Sequence, residues 1–164
     1  MKNIAFLFLI SLLFSCNSSA QKKEISTKDP KPQFKITKTD AEWKAELTAE
    51  QYHVLRKAGT EAPFSSPLNK NHEVGVYVCA GCQTPLFKSE HKFDSGTGWP
   101  SFDRAIKGNV AYGKDNKIGY PRDEEHCATC GGHLGHVFND GPKDTTGLRH
   151  CINGDALEFV PATK

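Results

Sequence analysis

Residues 75–82 read Gly-Val-Tyr-Val-Cys-Ala-Gly-Cys, and residues 127–132 read Cys-Ala-Thr-Cys-Gly-Gly. Each stretch holds a Cys-x-x-Cys pair with small residues that permit a tight turn. Two such pairs can point four thiolates at one ion, and four thiolates complete a tetrahedral zinc site. We therefore predict one structural zinc ion, Zn2+, whose ligands are Cys79, Cys82, Cys127 and Cys130.

The segments around these pairs predict a mainly β domain. Short β-branched or aromatic runs lie at residues 74–78, 109–112 and 156–160. Gly, Pro, Asn and Asp separate these runs, which is typical of short antiparallel strands joined by turns.

Two short helices are predicted ahead of the strands. Thr39 precedes a segment that carries Trp43, and Thr48 begins a Thr-x-x-Gln capping box before a second apolar stripe. Gly59 is predicted to end the second helix.

The composition excludes two classes of function. The 164 residues include 21 Lys plus Arg and 19 Asp plus Glu, a formal net charge of +2 with both signs mixed. Nucleic-acid binding needs a basic stripe, which is absent, and 37% apolar content is too low for a multi-span membrane protein. At this length one domain is expected.

The N-terminus predicts export. Residues 4–14 form an apolar run behind Lys2, shorter than the about 20 residues that a spanning helix needs, which is typical of a secretory signal. The run is followed by Ser15 and Cys16 and resembles a bacterial lipoprotein signal, in which the cysteine is lipidated. Cleavage after Ala20, which would release a soluble protein, stays open, as does a cytosolic protein with an apolar N-terminal helix.

These features predict three segments. Residues 1–15 are a signal peptide, residues 16–38 are a polar, proline-containing tether, and residues 39–164 are the folded domain. The protein would cross the bacterial inner membrane and stay in the periplasm or on the membrane through a lipid on Cys16.

Two other states of the paired cysteines stay open in an exported chain. Disulfides are common in oxidising compartments. A Cys-x-x-Cys disulfide, however, closes a very small loop and is usually redox-active. A redox pair is the third possibility.

Cys151 lies outside both pairs, in Arg149-His150-Cys151-Ile152-Asn153. Positive charge from Arg149 and His150 would favour a thiolate, and a strand would place Asn153 on the same face as the sulfur. This pattern predicts a nucleophile, although a lone cysteine in a β-rich core is often a small buried hydrophobe.

Two histidines, His133 and His136, share the glycine-interrupted segment 131–142. Histidine exchanges protons near neutral pH, which favours acid/base work. Two alternatives stay open: metal binding, although no third nitrogen or oxygen ligand is evident beside them, and ordinary surface or core histidines that have no functional role.

Trp99 lies in the loop 93–102, where flanking glycines and Pro100 fix the indole. It either plugs the core or forms the wall of a substrate pocket.

Together these stretches resemble the peptide methionine (R)-sulfoxide reductases, the MsrB family. The resemblance runs from about residue 43 to residue 161 and implies two antiparallel β-sheets, short N-terminal helices and a zinc site away from the active site. The matching stretches, in chain order, are residues 61–64, 75–82, 93–102, 133–142 and 149–153.

The resemblance implies a role for each candidate residue. Cys151 would be the nucleophile and the paired cysteines the zinc ligands. The implied active-site shell consists of Trp99, His133, His136, Asp140, Arg149 and Asn153.

The implied reaction reduces the R diastereomer of methionine sulfoxide in oxidised proteins and peptides. Cys151 attacks the sulfur while His133 or His136 protonates the oxygen, which leaves methionine and a Cys151 sulfenic acid. Asn153 and Arg149 would hold polar atoms, and Trp99 would cover the S-methyl group.

Three positions depart from the family pattern. Thr97 stands where many members carry a resolving cysteine, which predicts that an external, thioredoxin-like dithiol reduces the sulfenic acid. His150 stands where an aromatic residue is common, and Glu125 stands where an apolar one is common.

Two rival functions stay open at this level. One is a zinc-stapled β domain that binds peptides without catalysis. The other is a thiol-disulfide oxidoreductase that uses one Cys-x-x-Cys pair.

Overall fold

The structure, a computed structural model, describes residues 34–163. The predicted signal peptide, Cys16 and the first part of the predicted tether lie outside the described residues. In residues 34–163 no helix has the length and apolar character needed to cross a membrane. The helices and strands are α1 (Asp40–Glu46), α2 (Ala49–Lys57), β1 (Gly75–Cys79), β2 (Pro85–Lys88), β3 (Lys92–Phe93), β4 (Ser101–Phe102), β5 (Val110–Asp115), β6 (Arg122–Cys127), β7 (His133–Phe138), β8 (Arg149–Ile152) and β9 (Leu157–Pro161).

The strands form two sheets. One has the order β2-β1-β9 and the other the order β3-β4-β8-β7-β6-β5. Every pairing is antiparallel. The prediction of a mainly β fold with two antiparallel sheets and short N-terminal helices is confirmed.

Aromatic side chains from both sheets build the core between them. Tyr77 and Phe87 come from the three-stranded sheet and Phe102 from the six-stranded sheet, and none of the three is exposed. The Phe87 and Phe102 rings stack with centroids 4.4 Å apart, and Tyr77 meets Phe102 edge-on at 5.0 Å. Burial of these large rings contributes to the apolar packing that joins the sheets.

The two helices begin where the capping patterns predict. Thr48 Oγ1 accepts the backbone N–H of Gln51, and Gln51 Oε1 accepts the backbone N–H of Thr48, both at 3.1 Å. The end of α2 differs from the prediction, since Ala58 takes the left-handed conformation with φ 50°. Gly59 is needed for space instead, because a Cβ there would lie 2.1 Å from the ring of His53.

The described chain meets the domain before the predicted boundary at Thr39. Ile36 packs against the core, and its backbone N–H donates to the carbonyl of Thr129 at 3.0 Å. The end of the predicted tether therefore lies along the second Cys-x-x-Cys turn.

Candidate zinc site and catalytic cleft

The two Cys-x-x-Cys turns have the same backbone hydrogen bonds. In the first turn Cys79 N–H donates to Thr84 O at 2.9 Å and Gln83 N–H donates to Cys79 O at 2.8 Å. In the second, Cys127 N–H donates to Gly132 O and Gly131 N–H donates to Cys127 O, both at 2.8 Å. The residue after each pair is left-handed, with φ 60° at Gln83 and φ 70° at Gly131.

The four paired sulfurs converge on one point. Cys79 Sγ lies 3.7 Å from Cys130 Sγ, and Cys82 Sγ lies 3.5 Å from Cys127 Sγ, so each close contact joins one turn to the other. A zinc ion with Zn–S bonds of about 2.3 Å holds its sulfurs about 3.8 Å apart. The set fits a tetrahedral zinc site, and none of the five cysteines within residues 34–163 is in a disulfide.

The N-terminal helices cover this zinc corner. The Leu55 side chain packs against Gly81 and Gly132. Arg56 Nη1 donates to the carbonyl of Cys130 at 3.1 Å. The Arg56 guanidinium also lies over the ring of Trp43, 4.8 Å from its centroid. The zinc corner thus connects both sheets to the helices.

A cleft of about 140 Å³ opens at a different part of the domain. It brings together four of the predicted site residues. Trp99 comes from the loop 93–102, His136 from β7, and Cys151 and Asn153 from β8 and the position just after it. The lining residues are Thr60, Trp99, Arg122, Gly135, His136, Phe138, Cys151 and Asn153.

Cys151 lies in β8 between two strands. It pairs with His136 of β7 on one side and with Ser101 of β4 on the other. Gly135 permits the close approach of β7, since a Cβ there would lie 2.0 Å from the carbonyl oxygen of Cys151. Register therefore places the predicted nucleophile directly beside a predicted proton donor.

The environment of the Cys151 sulfur has opposing effects. Burial raises the pKa of Cys151 above the usual thiol range, while the Arg149 charge and the Thr97 hydroxyl oppose that rise. The sequence-based expectation that His150 also favours the thiolate is wrong, because neighbouring residues of a strand face opposite ways and His150 packs against Phe87. At neutral pH the resting group is therefore a thiol.

Arg149 is fixed beside Cys151 by a bidentate ion pair. Its Nε and Nη2 atoms each donate to Asp140 at 2.8 Å, and its guanidinium lies 4.5 Å from the ring centroid of Phe138. Asp140 is thus a partner of Arg149 and does not line the cleft.

His136 is held by a carboxylate that sequence reasoning missed. His136 Nε2 lies 3.0 Å from Asp115 Oδ2, and Arg122 Nη2 donates to the same oxygen. The Lys117 backbone N–H, with His136 and Arg122, lowers the pKa of Asp115 well below its usual range. Because an ionised carboxylate only accepts, His136 Nε2 carries a proton, and within the described residues no hydrogen bond engages Nδ1.

His133 lies one step behind His136, with ring centroids 5.5 Å apart, and is not among the cleft-lining residues. Its Nδ1 lies 2.6 Å from Glu124 Oε1. Burial lowers the pKa of His133 to about 4, although Glu124 opposes the shift. His133 is therefore neutral near pH 7.

Glu61 connects two predicted site residues. Its carbonyl accepts Trp99 Nε1–H at 3.3 Å, and its N–H donates to Asn153 Oδ1 at 3.2 Å. Its carboxylate accepts the backbone N–H groups of Gly154 and Asp155, both at 2.7 Å. The family resemblance includes residues 61–64 but implies no role for Glu61. Its partners Asn153, Gly154 and Asp155 lie about 90 residues away, so no local sequence pattern predicts these contacts.

His150 and Glu125, the two other positions that depart from the family pattern, contact each other. His150 Nδ1 lies 2.6 Å from Glu125 Oε1, and both side chains are almost fully buried. Within the described residues, Glu125 Oε2 accepts no hydrogen bond. The pair joins β8 to β6 across β7 on the face opposite Cys151.

Comparison with known proteins agrees with this geometry. A SelR domain matches residues 47–161. A peptide methionine sulfoxide reductase MsrB of Agrobacterium fabrum is 53% identical over 128 residues, which is 77% of this chain and 94% of that protein. The MsrB proteins of Leptospira interrogans and Methanosarcina mazei are each 53% identical, over 127 and 129 residues, which is 77% and 78% of this chain and 96% and 91% of theirs. With its zinc corner, its cysteine-containing cleft and this similarity over most of its length, the chain belongs to the MsrB family.

Proposed function

We propose that this protein reduces the R diastereomer of methionine sulfoxide in oxidised proteins and peptides to methionine. One observation carries the proposal: Cys151 and His136 are directly paired residues of adjacent strands and line one cleft with an indole ring. The preference for the R diastereomer rests on family membership.

The substrate would sit with its S-methyl group against the apolar wall of the cleft. Trp99 and Phe138 supply that wall. The hydrogen bond from Trp99 Nε1 to Glu61 fixes the plane of the indole. The small volume favours one side chain over a large ligand.

His136 is the better proton donor of the two candidates. It lines the cleft, whereas His133 lies behind it, is neutral near pH 7 and has Glu124 as its partner. Asp115 holds the His136 ring through Nε2, which leaves Nδ1 as the atom that would deliver a proton to the sulfoxide oxygen.

The step is balanced in atoms and electrons. Cys151, a thiol at rest, would give its proton to His136 Nδ1, and the resulting thiolate would attack the sulfoxide sulfur while the same proton is passed to the oxygen, which makes that sulfur electrophilic. The protonated oxygen then moves from the substrate sulfur to Cys151 as the bond between the two sulfurs breaks, so the sulfoxide gains two electrons to become methionine and Cys151 becomes a sulfenic acid. Arg149 would stabilise the thiolate that begins the step.

An external dithiol of the thioredoxin-like class would complete the cycle. Thr97 stands beside Cys151, and the other four described cysteines form the zinc site. Two external thiols would reduce the sulfenic acid to the thiol, releasing water and leaving their own disulfide.

The test is an assay on separate R and S methionine sulfoxide diastereomers with a dithiol reductant. We expect turnover of the R form alone, and one turnover without reductant should leave Cys151 as a sulfenic acid by mass spectrometry. An internal disulfide after that turnover contradicts the proposed recycling. Activity on neither form, with zinc present, favours a binding module instead.

We also propose that the protein acts outside the inner membrane, held by a lipid on Cys16. The support is the sequence of residues 1–16 alone. Metabolic labelling with palmitate should mark the wild type and not Cys16→Ser. Unlabelled protein that begins after Ala20 would contradict the anchor.

A further inference from the structure

A second group of metal-ligating side chains lies outside the zinc corner. Glu124 and His126 alternate along β6 and share one face of the strand, and His133 begins β7 opposite His126. One ligand atom from each of the three lies within 4.8 Å of the others.

One carboxylate oxygen faces both imidazoles. Glu124 Oε1 lies 2.6 Å from His133 Nδ1 and 3.3 Å from His126 Nε2. Two ring nitrogens converging on one oxygen are the arrangement in which a divalent ion can replace a proton.

The donor set is chemically suitable. Two imidazole nitrogens and one carboxylate oxygen are typical ligands of zinc and related transition ions, with open positions left for water. Bonds of about 2.1 Å separate tetrahedral ligands by about 3.4 Å, so the His126 distance already fits and the His133 distance must widen modestly.

The group is also reachable from solvent. The side chain of His126 is 27% exposed, compared with 13% for Glu124 and 5% for His133. Gly113 on β5 leaves room for the His126 ring, since a Cβ there would lie 3.2 Å from its Cε1 atom. An ion can therefore enter past His126 without opening the core.

We propose that Glu124, His126 and His133 form a second site, which binds a divalent transition ion such as Zn2+ reversibly and separately from the four cysteines. Because the His133 ring neighbours that of His136, an ion bound there would also slow the reductase. This inhibition rests on the proposed function, whereas binding of the second ion does not.

The test uses protein that already carries one zinc ion per chain. Dialysis against buffered, low-micromolar Zn2+ should raise the zinc content of the wild type to two ions per chain. His126→Gln should stay at one ion, whereas His72→Gln, which changes an exposed histidine outside the group, should reach two.

Added Co2+ identifies the ligands. In the zinc-loaded wild type it should give the visible bands of a nitrogen and oxygen site without a sulfur-to-cobalt band, and His126→Gln should lose them. One zinc ion per chain at every Zn2+ concentration, a second ion retained by His126→Gln, or a sulfur-to-cobalt band would each overturn the proposal. Two ions per chain in a protein without reductase activity would support the metal site and count against the proposed function only.

Discussion

The zinc corner and the catalytic cleft are assembled in opposite ways. Each half of the zinc corner closes within six residues through its own backbone hydrogen bonds, and the two halves repeat one geometry. The cleft has no repeated unit and is lined by residues of three strands, β6, β7 and β8, and of three segments outside the strands. Local sequence therefore specifies the first region, whereas the register of β4, β7 and β8 specifies the second.

The two regions are therefore sensitive to different kinds of substitution. A four-thiolate site concentrates stabilisation in a few bonds, so losing one ligand should unfold the domain around it. The cleft distributes its support over hydrogen bonds and ion pairs, so single changes there should alter chemistry before they alter folding.

The largest effect is expected at the zinc corner. Cys127→Ser should lose zinc and the cooperative thermal transition, because structural zinc contributes roughly 10 kcal/mol or more, comparable with the whole stability of a domain. Elemental analysis and calorimetry measure the two losses. A zinc-free variant that still unfolds cooperatively near the wild-type temperature would show that the zinc corner is not the main source of stability.

Cys151→Ser is the matched change in the cleft. We expect reductase turnover to fall to background because serine is a far weaker nucleophile, while Tm stays within a few degrees since the side chains are nearly isosteric. Turnover of separate diastereomers and a thermal scan test both. Measurable turnover would assign the nucleophile elsewhere.

An intermediate effect is expected where β8 meets β6. His150→Phe alone should cost about 3–5 kcal/mol, because Glu125 would remain buried without its partner. Adding Glu125→Val should recover most of that loss. Denaturant unfolding of the single and double variants gives the values.

The control is the exposed pair of Lys114 and Asp123 on the neighbouring strands. Asp123→Asn should cost less than about 1 kcal/mol. If the double variant His150→Phe, Glu125→Val lost as much stability as the two single variants together, His150 and Glu125 would act independently.

The smallest effect concerns the charge beside the nucleophile. The rate of Cys151 alkylation should rise with pH through a pKa above the usual thiol range, because burial disfavours the thiolate. Arg149→Met removes a positive charge that opposes the effect of burial, so the pKa of Cys151 should rise further. The alkylation rate near pH 7 should then fall about tenfold for each unit by which that pKa rises.

Arg104→Met is the control, since its partner Asp103 lies outside the cleft. It should leave the alkylation profile unchanged. A lower pKa in Arg149→Met would contradict the assigned direction.

Much of the fold and half of the site were predictable because their signals are short. The capping box at Thr48 and the two cysteine turns involve residues three to five positions apart. Asp115 and Glu61 gave no such signal, since each acts on a partner from a distant strand or loop. The prediction for His150 failed because strand alternation, not sequence proximity, determines which side chains neighbour Cys151.

Residue types at fixed short spacings were enough to predict the four-cysteine zinc site, the helix starts, the mainly β class and the family resemblance. The partners of the titratable side chains depend on the fold. It paired His136 with Asp115, His133 with Glu124 and His150 with Glu125. Strand order and register place such groups within hydrogen-bond distance, and neither is encoded in the spacing of the residues concerned.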